Sequence, residues 1–149
     1  MSWSEYRKAK NAFKLHLSFE LNRMIATEFL IGSGKSSERA FLEKVLEEGV
    51  TYIADRGYAS FESIAKVIEA AAYFVFRVKD NLLYEVRQIL EIADGGLPKC
   101  FRQVRDEFVV FKSDKQQSVG RLIQFKVAGS YFPIVRNRTD VPTLKIIIL

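Results

Sequence analysis

The sequence predicts an α/β fold, and three observations carry that expectation. Two β-prone runs, Val50 to Ala54 and Tyr73 to Lys79, enclose a segment whose apolar residues fall at helical spacing. Lys14 to Leu21 alternates polar and apolar residues over eight positions, the period of a half-buried strand. The last third of the chain holds further β-prone runs at Phe108 to Phe111, Arg121 to Val127 and Tyr131 to Val135.

In chain order, Met1 to Ala12 has little periodicity and reads as loop or frayed helix, with Arg7, Lys8 and Lys10 as a basic lead-in. Asn22 and Arg23 turn the Lys14 strand back into a second strand, Met24 to Ile31, making a hairpin. Alternation puts Lys14, His16, Ser18 and Glu20 on one face. Gly32 to Ser37 contains Gly-Lys-Ser, yet the earlier glycine of a phosphate-binding loop would have to stand at Phe29. The segment therefore reads as a connector whose serines cap the next helix. That helix is expected from about Ser37 to Glu48, with Phe41, Leu42, Val45 and Leu46 as its apolar stripe and Gly49 as its stop.

The strand at Val50 then leads to Asp55, Gly57 for a sharp turn, and Ser60 to cap a helix running to about Ala71. The near-continuous apolar character of Tyr73 to Lys79 suits a strand covered on both faces, so the unit is strand, helix, strand with a right-handed crossover. Asn81 to Ala93 is mixed, and Asp94 to Pro98 is the clearest turn cluster. Pro133 marks the last strand as an edge candidate. Asp140 is a good helix N-cap and Pro142 is tolerated in a first turn, although Ile146 to Ile148 also suit a terminal strand.

Composition narrows the function classes. With 149 residues, 48% apolar and 28% charged, the chain suits one ordered domain rather than a disordered one. Cys100 is the only cysteine, which excludes an intrachain disulfide and a Cys-rich zinc site and fits a reducing cytoplasm. His16 is the only histidine, so no histidine metal site is expected; a surface or edge position would let it meet phosphate. No apolar run approaches a bilayer span, so no membrane partner is expected.

The net charge of +5 points to a polyanionic partner. It divides into +3 over residues 1–40 (seven basic, four acidic), −4 over 41–97 (six against ten) and +6 over 98–149 (ten against four). Basic flanks around an acidic middle suit a protein that holds a phosphate backbone beside a carboxylate. Solvated helix faces give the same tally. Asp55 is the first candidate for that carboxylate, since ligand crevices of open α/β sheets lie at the carboxyl ends of strands. Its alternative role is to hydrogen-bond the amides of its own turn.

Thr51-Tyr52-Ile53-Ala54-Asp55-Arg56-Gly57-Tyr58, followed by a helix and Tyr73-Phe74-Val75-Phe76-Arg77-Val78-Lys79, resembles the second catalytic-aspartate region of DDE-type insertion-sequence transposases. Tyr6-Arg7-Lys8-Ala9-Lys10 and Lys14-Leu15-His16-Leu17 resemble the hairpin those enzymes place before it. Ile134-Val135-Arg136-Asn137-Arg138-Thr139-Asp140 resembles the strand and cap that precede their glutamate helix.

The resemblance implies a ribonuclease H-like mixed sheet with flanking helices, incomplete here, and metal-dependent DNA strand cleavage and transfer. It implies a partial core over 1–93, a β-rich insertion over 94–139, and the truncated start of the glutamate helix over 140–149. Asp55 would be the catalytic metal ligand for Mg2+ or Mn2+, and Arg56, Tyr58, Arg77, Lys79, Lys14 and His16 would lie near DNA. The first aspartate and final glutamate have no counterpart, and nothing in the spacing of Asp80 or Glu20 brings them to Asp55. The expectation is a transposase fragment, inactive alone, whose partners are DNA and a second copy or a full-length transposase. A non-catalytic DNA-binding or interaction module and a small metal-dependent nuclease are the alternatives.

Overall fold

A computed structural model describes residues 5–7, 10–92, 98–112, 114 and 119–148. The chain divides into two compact units, Met1–Leu46 and Glu47–Leu149.

In the first unit, the segment expected as loop or frayed helix instead contains a short antiparallel pair, β1 (Glu5–Arg7) and β2 (Lys10–Asn11). Strands that short carry no readable alternation. The hairpin forms as expected from β3 (Phe13–Glu20) and β4 (Ile25–Ser33), joined through residues 21–24. Helix α1 (Glu38–Lys44) starts where Ser37 Oγ accepts the Ala40 N–H at 3.4 Å. It stops well before Gly49, because the Val45 N–H turns to the Leu42 carbonyl at 3.0 Å and tightens the last turn.

The hairpin faces are inverted relative to a simple half-buried strand. His16 is 1% exposed, which corrects the expectation of a surface or edge residue. Its Nε2 lies 2.8 Å from Ser36 Oγ and its ring stacks on Phe41 with centroids 5.4 Å apart. Lys14 forms an ion pair with Glu38 and donates to the Ser36 carbonyl at 3.2 Å. The polar face of β3 is thus the covered one, while Phe13, Leu15, Leu17 and Phe19 stand exposed.

The second unit is a six-stranded mixed sheet flanked by two helices. Its strands are β5 (Thr51–Ala54), β6 (Tyr73–Arg77), β7 (Tyr84–Ile89), β8 (Phe101–Phe111), β9 (Val119–Val127) and β10 (Ser130–Arg136), in the order β5-β6-β10-β9-β8-β7. β5 and β6 are parallel, joined by α2 (Phe61–Glu69), and the other pairings are antiparallel. The mixed stretch after Asn81 contributes β7, whereas residues 94–97 of the expected turn cluster lie outside the described residues.

Both sheet faces are used. On one, Val75, Ile123, Phe125, Ile146 and Ile147 form a core that includes α3 (Thr143–Ile147). Alternation places Phe74, Phe76, Val109 and Phe111 on the opposite face, and Phe61 at the start of α2 packs 5.5 Å from Phe111. Val67 of α2 is fully buried.

Two terminal details depart from expectation. Pro133 lies in an interior strand, not an edge. Its carbonyl accepts the Val78 N–H at 2.9 Å, and the register with β6 runs only over Ile134 to Arg136, so the missing N–H falls at the end of that ladder. Asp140 does not cap α3. It pairs with Arg138 through two bonds of 2.9 and 2.8 Å, and Pro142 takes the cap position without a side-chain bond.

Candidate nucleic-acid interface

The parallel register sets Ala54 opposite Phe76, so residues just beyond β5 and β6 emerge at the same sheet edge. Asp55 follows β5 directly. Its carbonyl accepts the Tyr58 N–H at 3.0 Å, closing the turn that contains Gly57. Ser60 Oγ then accepts the Ser63 N–H at 3.0 Å, starting α2. The turn leaves the Asp55 carboxylate open, with its side chain 68% exposed.

Arg77, the last residue of β6, stands 3.9 Å from Asp55 Oδ1. Its guanidinium lies over the Phe132 ring, 4.4 Å from the centroid, which holds the cation in place. Arg77 Nε is buried and without a hydrogen-bond partner. An ion pair this long to an exposed carboxylate is worth about 0–1 kcal/mol.

Beside the turn, Arg56, Gly57, Lys79, Asp80 and Asn81 line an open concavity. Arg56 Nη1 is 3.9 Å from Asp80 Oδ1. Three of the expected cations, Arg56, Arg77 and Lys79, are therefore gathered with Asp55 at one strand end. Tyr58 is half-buried in the turn itself. Lys14 and His16 belong to the other unit, where Lys14 is committed to Glu38 and His16 is buried.

Sequence reasoning did not place Asp80 and Asn81 here. The only signal was that they follow β6 as Asp55 follows β5, which becomes informative once the two strands are known to be parallel. It also missed a polar chain on the neighbouring strands. Gln124 Nε2 donates to Glu107 Oε2 at 2.8 Å and to the Tyr84 hydroxyl at 2.9 Å, and Gln124 Oε1 accepts from the Tyr131 hydroxyl. Burial, followed by the charges of Tyr84 and Asp80, raises the Tyr131 hydroxyl above its ordinary range. A glutamine among the apolar residues of β9 was the available clue.

The donor set does not fit a pair of divalent cations. Such cations need several carboxylate oxygens, and among the described residues no three His, Cys, Asp or Glu side chains gather to hold a metal. Asp55 faces a guanidinium instead of a second carboxylate. What the site offers is a cluster of cations around one carboxylate, suited to phosphate contact.

A family model described as transposase DDE domain matches residues 2–138. Searches of curated proteins and of solved structures return no match. Among the described residues, no helix is long and apolar enough to cross a membrane.

Proposed function

This chain belongs to the transposase DDE domain family, whose members act in DNA transposition and generally use divalent metal ions, and from that premise we propose that it binds DNA through the strand-end surface around Asp55 without cleaving it alone. The mixed sheet with its flanking helices is compatible with a ribonuclease H-like domain. The observation that carries the reading is the convergence of Arg56, Arg77 and Lys79 on the edge where Asp55 leaves β5.

Each residue has a role in this reading. Arg77, stacked and anchored, and Lys79 contact backbone phosphates. Arg56 exchanges its exposed partner Asp80 for a phosphate oxygen. Tyr58 shapes the turn beside them. Asp55 is the family's metal-holding carboxylate, and a single carboxylate is too few for the two-cation chemistry of strand cleavage.

A calorimetric titration with magnesium or manganese, run beside Asp55→Ala, tests this. Absent or millimolar binding in both chains is expected. Tight binding lost in Asp55→Ala means that other carboxylates complete the site, which replaces this reading with that of a metal-dependent nuclease.

A further inference from the structure

We infer, on the DNA-binding reading above, that Arg102 and Lys126 form a second phosphate-contacting pair, which carries the DNA surface across the sheet from the strand-end cluster to β8. Its ligand is the backbone of the same duplex.

The charges of the basic third of the chain lead to this pair. None of Arg56, Arg77 and Lys79 belongs to residues 98–149, which hold ten Lys/Arg against four Asp/Glu. Within that third Asp106 takes Arg121 and Arg136, and Asp140 takes Arg138. Glu107 accepts from the Gln124 amide. Arg102, Arg105 and Lys126 are among the cations left over, and among the described residues none of the three forms an ion pair.

The ladder brings these cations together. Lys126 of β9 lies directly opposite Arg102 of β8, and Gln124 lies opposite Arg105. Side chains directly opposite share one face with Cβ atoms about 4.5–5.5 Å apart, and like charges there repel. An anion held between the two cations turns that repulsion into attraction. Arg102 and Lys126 line one concavity with Gln103 and Gly129. Gln103 stands at φ 52°, where a bulge shifts the register of β8 between Arg102 and Arg105 and re-aims the neighbouring side chains. Ala128 and Gly129, at φ 48° and 82°, make the two-residue turn from β9 to β10.

Register also fixes where the pair stands relative to the strand-end cluster. Ile134 of β10 lies opposite Arg77 of β6, and Tyr131, near the start of β10, lies opposite Lys126. The carboxyl ends of β6 and β9 and the amino ends of β10 and β8 therefore meet at one end of the sheet. In the order β6-β10-β9-β8 the outer two strands are separated by three intervals, roughly 14 Å at about 4.8 Å each. One DNA strand covers that distance in about four steps of about 3.4 Å. Tyr131 links the two groups of cations. Burial chiefly raises its hydroxyl, Asp80 of the strand-end concavity adds to that, and Arg105 opposes it.

The salt dependence of DNA affinity for the whole chain, Arg102→Gln, Lys126→Gln and Arg102→Glu, beside Arg56→Ala, tests the pair. Arg102→Gln and Lys126→Gln should each weaken binding and lower the logarithmic salt slope by about 1. Arg102→Glu sets an acid opposite Lys126, so it should melt no lower than the wild type while binding DNA roughly tenfold more weakly. Replacing chloride by inorganic phosphate at constant ionic strength should leave wild-type affinity unchanged. A fall to the level of Arg102→Gln would make a free phosphate ion the ligand and overturn the inference. Wild-type affinity and slope in all three variants, with Arg56→Ala weakened, overturns the pair and leaves the strand-end reading standing. Weakened Arg102 and Lys126 variants beside an unaffected Arg56→Ala keep the pair and remove the strand-end reading. A wild-type chain that does not bind DNA overturns both.

Discussion

Arg121 holds Asp106 through two parallel hydrogen bonds, Nε to Oδ1 and Nη2 to Oδ2, each 2.8 Å. Thr143 of α3 donates its hydroxyl to the same carboxylate, and Arg136 Nη2 stands 3.7 Å away. Arg136 is fully buried, and burial, with Arg121 beside it, pushes its guanidinium down to about 10. Its Nη1 donates to the Arg138 and Val141 carbonyls at 2.6 Å each. One carboxylate therefore balances two arginines and ties β8, β9, β10 and α3 together.

Asp106→Asn removes the carboxylate that Arg121 bonds and that Arg136 Nη2, buried without a hydrogen-bond partner, faces at 3.7 Å. Breaking a buried pair by removing one partner costs about 3–5 kcal/mol. Urea unfolding at neutral pH should show a loss of that size. A loss below about 1 kcal/mol would mean that water reaches the arginines and the pairing is not structural.

Asn137 fastens the loop after β10 to the start of β6. Its Oδ1 accepts the Phe74 N–H at 2.7 Å and its Nδ2 donates to the Ala72 carbonyl at 3.1 Å. Asn137→Ala leaves a donor and an acceptor unpaired beside buried residues, a cost of about 1–3 kcal/mol. Hydrogen exchange at the Phe74 amide should accelerate in step, and an unchanged rate counts against this role.

Gly120 lies in β9 against the Phe111 ring, and a Cβ added there would stand 2.8 Å from Phe111 Cε2. That ring is buried and packed on Phe61 and Tyr84. Gly120→Ala is expected to cost about 1–3 kcal/mol through overpacking, read as a lower denaturation midpoint. A neutral or stabilising effect would show that the ring moves freely.

The Lys14 hydrogen bond lowers the Glu38 carboxyl below its ordinary range, against a smaller opposing effect of burial. Because the folded value is depressed, the stability it confers is present above the ordinary carboxylate range and disappears as pH falls through the lowered value. The pair is about one third exposed, so the contribution stays below about 1 kcal/mol. In Lys14→Met, an NMR titration should find Glu38 back near its ordinary value. An unshifted titration would assign the effect elsewhere.

The legible parts of the sequence were those governed by local pattern. The alternation of Lys14 to Leu21, the Ser37 and Ser60 caps and the apolar run at Tyr73 all correspond to observed elements. Alternation defines two strand faces, but not which one a later helix covers, so His16 is expected at the surface and is found buried. Pro133 and Asp140 depended on non-local or competing partners, the end of β6 and the Arg138 guanidinium. Asp55 stood out in its motif, whereas the gathering of Arg56, Lys79 and Asp80 required the parallel register of β5 and β6.

The most direct test of the proposed function is the salt dependence of DNA affinity for the wild-type chain, Arg56→Ala and Lys79→Ala. The account predicts wild-type affinity that falls steeply with salt. Each variant should bind more weakly across all sequences, with a logarithmic slope reduced by about 1. Salt-independent binding, or variants that match the wild type in affinity and slope, would contradict it by removing the strand-end cations from the DNA-binding surface.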